Sequence, residues 1–356
     1  MKKKHLILFG FILLKFTIQY FAINPVYELH RDEFLHLDLG KHLAWGYTSV
    51  PPATGLISYI ILLLGNSVFW VKFFPALFGA LILYVVWKII EELNGRIFAQ
   101  ILASTSILFS MFVRINTLYQ PNSLDFLCWT LLFYTLLKYL KTQENKWLYF
   151  VAMVFSIGFL NKYNIGFLLL GLLPALLISK QRMLFKNRHL WFAALFALVL
   201  VSPNIIWQVR NNFPVVNHMQ TLVATQLVNV KRSNFLVSQL YFFPGAHLTI
   251  LLAFISFFVY QPHKIYRVFF YAFVFTMFIF TYLKAKDYYA LGLYPVFIAF
   301  GAVYFEKLLS HGWLQYLRIP VIALPIVIFI PVSQIMLPIF HQLKFRKEKS
   351  YIINLM

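Results

Sequence analysis

The residues best able to do chemistry lie close together in Glu28-Leu-His-Arg-Asp-Glu-Phe-Leu-His-Leu-Asp38, in a chain with only eleven acidic residues. A carboxylate in such a cluster can serve as a general base. On a helix Asp32 and His36 share a face, as do Asp38 and His42. The neighbours Asp32 and Glu33 diverge, so at most one of them points at a given reacting atom. Two other readings stand beside this one. The stretch can be a helix cap with surface ion pairs to Arg31 and Lys41. It can also hold a divalent metal, with His30, His36 and His42 interleaved among the acids, although no tight motif such as His-Glu-x-x-His is present. A second acid, Asp125, follows Asn122-Ser-Leu, where Asn122 or Ser123 can cap a helix and Asp125 complements its dipole. A carboxylate entering an apolar segment is nevertheless costly unless it lines a polar cavity. Lys162, Arg210, Lys284 and Lys286 are cations that either snorkel to headgroups or meet an anion. Lys286-Asp-Tyr288-Tyr289 suits a lipid phosphate, because the ammonium pairs the anion and the hydroxyls donate hydrogen bonds.

The elements that must position these groups are membrane spans. With 356 residues, 61% of them hydrophobic and 12% charged, the chain has too little polar surface for a soluble globule. Apolar runs long enough to cross ~30 Å of hydrocarbon recur along it, and only helices satisfy their own backbone there. The expected fold is all-α and polytopic, with about eleven spans. They fall near residues 6–24, 67–90, 97–113, 123–140, 147–161, 163–179, 190–208, 241–260, 266–283, 288–306 and 320–338. The break at Asn161 to Asn164 is either an outer turn or a polar patch within one bent segment. Between the first two spans, a short helix over Asp32 to Trp45 and another over Gly55 to Leu64 are expected to lie at the interface or to re-enter from the outside. Leu6 to Ile23 follows a basic start but has no small-residue cleavage site, and reads as a retained span. The organisation is one membrane domain over 1–340 and a short basic tail over 341–356.

A formal charge of +20 raises the question of nucleic acid, yet the cations cluster in loops rather than in a stripe with exposed aromatics. Lys88, Arg96, Lys138, Lys141, Lys180, Arg182, Lys264 and Arg267 fall on one side, which the positive-inside rule makes cytoplasmic. Part of that charge is expected to meet anionic lipid headgroups. Glu91, Glu92, Glu144 and Glu306 share that side as solvated helix ends. Glu28, Asp32, Glu33, Asp38, Asp125 and Asp287 gather on the other. Cys128 stands alone, which excludes a disulfide within the chain.

The chain resembles the GT-C glycosyltransferases, specifically the bacterial relatives of protein O-mannosyltransferases and aminoarabinose transferases. The resemblance covers roughly residues 20 to 305. It is carried by Arg31-Asp-Glu33, His42-Leu-Ala-Trp-Gly-Tyr47 with Pro51-Pro52, Asn122-Ser-Leu-Asp125, Leu160-Asn-Lys-Tyr163, Ser202-Pro-Asn-Ile-Ile-Trp207 with Asn211-Asn-Phe-Pro214, and Lys286 to Pro295. It implies an inverting transfer of a sugar from a polyprenyl-phosphate donor to a hydroxyl acceptor, a lipid, glycan or protein, at the outer face of a bacterial inner membrane. The resemblance points to Asp32 as the base, supported by Glu33, with Asp125 as the second outer-loop acid and Lys286 on the donor phosphate. His36, Lys162, Arg210, Tyr288 and Tyr289 complete the candidate substrate site. The aminoarabinose branch has a proline before the Asp-Glu pair and a lysine before the loop proline. Arg31 and Val50 stand there instead, so that branch's sugar and lipid A acceptor do not carry over. A transporter or flippase is the alternative; it predicts ionisable groups at the midplane, broken helices in matching halves and a repeat, of which Lys15 is the one clear sign. A non-catalytic assembly factor, to which Asp32 would be dispensable, is the third.

Overall fold

The computed structural model describes residues 2–23 and 29–336. Glu28 and the expected tail over 341–356 lie outside them. Every regular element among the described residues is helical. In chain order they are α1 (Lys2–Ala22), α2 (Arg31–Asp38), α3 (Pro52–Leu63), α4 (Val68–Glu92), α5 (Ile97–Leu108), α6 (Phe112–Ile115), α7 (Asn122–Thr142), α8 (Lys146–Asn161), α9 (Ile165–Ile178), α10 (Arg188–Arg210), α11 (Pro214–Thr225), α12 (Arg232–Phe242), α13 (His247–Val259), α14 (Arg267–Tyr282), α15 (Tyr294–Leu308) and α16 (Arg318–Met336). Short 3-10 turns join several of them, notably Leu39–Lys41, Lys180–Lys186 and Asp287–Leu293.

Seven helical stretches are long and apolar enough to cross a membrane, and nine if two bent pairs each count as one span. The expected count of about eleven is therefore not confirmed, although a helix stands at each expected position. The shortfall lies in α5 and α8, which have 12 and 16 residues. Continuous apolarity over 97–113 hides a break: the Ser110 hydroxyl donates to Ile107 O at 2.6 Å and accepts from Phe112 N at 3.3 Å, and the chain turns. A second hidden break falls inside the expected 241–260 span, where Gly245, at φ +78°, lets α12 and α13 meet at 102°. Asn161 to Asn164 is a turn between α8 and α9 rather than the middle of a bent helix.

Burial sorts the helices into centre and rim. In the stretch ending in α15, 83% of the apolar window is buried, and in α7 78%, against 17% in α1 and 22% in α10. The central helices thus form a protein-packed core of edge-to-face aromatics such as Phe133, Phe269 and Phe297, while α1 and α10 offer their apolar sides outward.

The two short helices expected after the first span are present as α2 and α3, with α2 and its 3-10 extension ending by Lys41, short of Trp45. They pack backbone to backbone at Gly40, where an added Cβ would sit 2.6 Å from the Ser58 carbonyl carbon and 2.7 Å from Tyr59 N. Gly40→Val is therefore expected to force α2 off α3 at a cost of about 1–3 kcal/mol. A thermal melt of the purified variant checks this, and an unchanged midpoint would contradict it.

Candidate active site

Local capping decides which of the adjacent acids faces outward. His30 precedes α2 and its Nδ1 accepts the Asp32 N–H at 3.2 Å, while Glu33 Oε2 accepts the His30 N–H at 2.8 Å. This is a reciprocal capping box with histidine in the position usually held by serine or threonine. It turns Glu33 inward, where its side chain is fully buried. Lys72 Nζ donates to Glu33 Oε1 at 2.6 Å and Oε2 at 2.7 Å, and Tyr119 N–H donates to Oε1 at 2.7 Å. Every lone pair of Glu33 that the site can use is thus engaged by α2, α4 and the loop before α7. Asp32, about 100° round the helix, keeps a third of its side chain exposed. Arg31 Nε donates to its Oδ1 and Gln120 Nε2 to its Oδ2, both at 3.2 Å.

From Gln120 a line of hydrogen bonds runs across the same end of the bundle. Asn122 Nδ2 donates to Gln120 Oε1 at 2.8 Å, and Lys162 Nζ donates to Asn122 Oδ1 at 2.7 Å. Lys162 lies in the turn between α8 and α9, 4.2 Å above the Tyr289 ring and 5.3 Å from that of Tyr288, a cation–π geometry. Burial lowers its ammonium to about 8, Asp125 opposing the shift and Lys286 adding to it. Lys286 is half-buried and pairs with no carboxylate among the described residues. Burial lowers its pKa as well, while the charges of Asp32 and Asp287 raise it, which places all three in one electrostatic neighbourhood.

Asp125 is fully buried and points away from solvent. Its Oδ1 accepts Trp129 Nε1 at 3.0 Å and its Oδ2 accepts Asn164 Nδ2 at 2.9 Å; Asn164 also donates to Tyr289 O at 3.1 Å. Neither Asn122 nor Ser123 caps α7 as expected: Asn122 bridges Gln120 to Lys162, and Ser123 accepts from Asn116. His36 is buried, with its ring Nδ1 unpartnered among the described residues, and burial lowers it to about 4 despite Asp32 and Glu33. It is a neutral imidazole beneath α3. Arg210 is exposed at the end of α10, apart from this line of contacts. The Asp38–His42 pair does not form, because α2 gives way to a 3-10 turn and Asp38 meets Lys41 at 3.1 Å. Among the described residues no three His, Cys, Asp or Glu side chains gather as metal ligands.

The motifs separated in sequence converge. Asn204 Nδ2 donates to Trp45 O at 2.7 Å, its Oδ1 accepts Tyr163 OH at 3.0 Å, and Gln208 donates to the same hydroxyl at 3.0 Å. Lys72, Tyr119, Gln120 and Asn164 join the site without being singled out by the sequence. Gln120 and Asn164 adjoin the motifs Asn122 to Asp125 and Leu160 to Tyr163, which is a usable signal; Lys72 is a single charge one turn into an apolar run. Lys15, the mid-span cation singled out in the sequence, is bound into the protein by Asn116 Oδ1 at 2.8 Å.

A many-pass helical membrane protein with a carboxylate-bearing interfacial helix after its first span is the class that this architecture defines. Residues 49–207 match the family model described as dolichyl-phosphate-mannose-protein mannosyltransferase. The structure resembles the crystal structure of ArnT from Cupriavidus metallidurans bound to undecaprenyl phosphate, with a TM-score of 0.68 and 14% identity over 83% of this chain and 59% of that one. It also resembles the Archaeoglobus fulgidus oligosaccharyltransferase tethered to an acceptor peptide, with a TM-score of 0.53 and 12% identity over 92% of this chain and 54% of that one. AglB from the same organism, in complex with an inhibitory peptide and a dolichol-phosphate, gives 0.55 and 11%, over 92% and 55%. The chain thus spans less than two thirds of these proteins. A sequence search of curated proteins finds no match. The chain thus shares the helical membrane fold of these proteins, and its residues 49–207 carry the likeness to the dolichyl-phosphate-mannose-protein mannosyltransferase family.

Proposed function

We propose that the protein transfers a hexosyl or pentosyl group from a polyprenyl-phosphate donor to a hydroxyl acceptor, with inversion, at the outer face of a bacterial inner membrane. The observation that carries this reading is that a partly exposed carboxylate, Asp32, and an ammonium with no carboxylate partner among the described residues, Lys286, share one electrostatic neighbourhood at one end of the bundle, where the Gln120–Asn122 line leads from Asp32 to a second ammonium, Lys162. Asp32 takes the acceptor's hydroxyl proton as its oxygen bonds to the anomeric carbon. The carbon–oxygen bond to the phosphate breaks, and its electron pair leaves on the polyprenyl phosphate. Lys286 and Lys162 stabilise the charge that develops there, and the tyrosine hydroxyls donate to the same oxygens. Glu33 and Asp125 position these groups rather than touch substrate. The reactive side chains sit at helix ends, which favours transfer over transport through the midplane. Assay of the purified protein with a panel of polyprenyl-phosphate sugars tests the reading: product from at least one donor supports it, and no transfer from any donor across acceptor classes overturns it.

The lowered Lys162 pKa has a signed consequence. The ammonium is charged below about 8 and neutral above it, so affinity for a polyprenyl phosphate is expected to fall as pH rises through that value, by about tenfold per unit well above it if this charge is required. Lys162→Arg stays charged and is expected to flatten the fall. A wild-type binding curve that is level from pH 7 to pH 9 would remove Lys162 from the phosphate site.

A further inference from the structure

We propose that the end of the bundle remote from Asp32 holds the headgroup of an anionic phospholipid. Where α9 stops, the chain bends by 105° into the 3-10 turn Lys180–Lys186. Between this turn and the start of α14 the bend leaves a cavity of about 520 Å³, lined by Ser179, Lys180, Gln181, Lys264, Arg267 and Tyr271 among others. No acid lines it, and none of its three cations forms an ion pair among the described residues. Three like charges around one cavity repel unless an anion joins them. Elsewhere at this end Lys138 and Lys141 both pair with Glu92, and Lys146 with Glu144.

Arg267 is fixed before any ligand arrives. Its Nε donates to Phe257 O at 2.9 Å and its Nη2 to Phe258 O at 3.4 Å, near the last turn of α13, and the guanidinium lies 5.3 Å from the Phe258 ring. These contacts leave other guanidinium N–H groups for a phosphate oxygen. Lys180 and Lys264 add mobile point charges, and Ser179, Gln181 and Tyr271 add neutral polar groups. Ile178 and Ile265 on the same wall are exposed and apolar, so the cavity is polar at its mouth and greasy beside it. A diacyl lipid has that chemistry and a free anion does not; basic pockets between helices at this side of a membrane suit anionic headgroups. The pocket is separate from the Asp32 site: α9 and α14 each run from one to the other, and the 14 residues of α9 span about 21 Å.

Native mass spectrometry of the purified protein, titrated with phosphatidylglycerol and with phosphatidylcholine of the same chains, tests this. A lysine near an anionic surface contributes about fivefold in affinity, so the wild type is expected to prefer phosphatidylglycerol by on the order of 30-fold, and Lys180→Glu/Lys264→Glu to lose the preference. Lys307→Glu, at the same end but outside the pocket, should retain it. Lys180→Gln/Lys264→Gln serves if the reversal does not fold. A preference unchanged in the pocket variants overturns the proposal, as does an equal loss in Lys307→Glu, which would assign it to general surface charge. Elimination of the preference by excess inorganic phosphate would assign the pocket to a small free anion instead, and also overturns it.

Discussion

Asp32→Asn is expected to lower the turnover of sugar transfer by about 10²–10⁴-fold, the usual contribution of a positioned general base, with the melting midpoint and the affinity for donor little changed. The substitution conserves shape. Asparagine can still accept from Gln120, and neither of the Asp32 hydrogen bonds in the protein is buried or shared with the core. What disappears is the ability to take a proton from the acceptor hydroxyl as it attacks. Because that proton moves only on the way to the transition state, the loss belongs in kcat and not in KM. Steady-state rates with a competent donor check this. Wild-type turnover in the variant would remove Asp32 as base, and a rise in KM at constant kcat would make it a binding residue.

Much of this site is legible in the amino-acid sequence, and what is not has physical causes. Spacing alone shows that Asp32 and Glu33 diverge on a helix, but not which faces the protein. The deciding group is His30, whose imidazole caps α2 and pairs with the backward reach of Glu33. A search for serine, threonine, asparagine or aspartate caps passes over it. Asp125 presents the opposite difficulty. Its place in the first turn of α7 is readable, yet its burial against Trp129 and Asn164 depends on residues far along the chain. Lys72 is invisible because one lysine barely dents the mean hydropathy of Val68–Glu92. The span count fails for a related reason: apolar runs report solvent, not continuity, and side chains such as Ser110 break a helix without interrupting the run.

Glu33→Gln is expected to destabilise the protein by about 3–5 kcal/mol, because it leaves the Lys72 ammonium largely buried without its counter-charge. Lys72→Met should cost a similar amount, since Glu33 then keeps its charge with only the Tyr119 and His30 backbone donors. In Glu33→Gln/Lys72→Met no unpaired charge remains. The glutamine oxygen still accepts one backbone N–H, and the methionine fills the apolar stem of the lysine. The double variant is therefore expected to be more stable than either single one, with a coupling of about 2 kcal/mol or more in thermal or denaturant melts. Additive losses would deny the ion pair any structural weight. The same cycle read in transfer rate separates the two roles open to Glu33. If it positions Asp32 by anchoring α2 to α4, transfer recovers together with stability in the double variant. If it exchanges a proton with substrate, no partner change at Lys72 restores the lost carboxylate, and transfer stays low however well the protein melts. The bonds that saturate Glu33 favour the first outcome, and they account for an adjacent pair of acids in which only Asp32 keeps part of its side chain exposed.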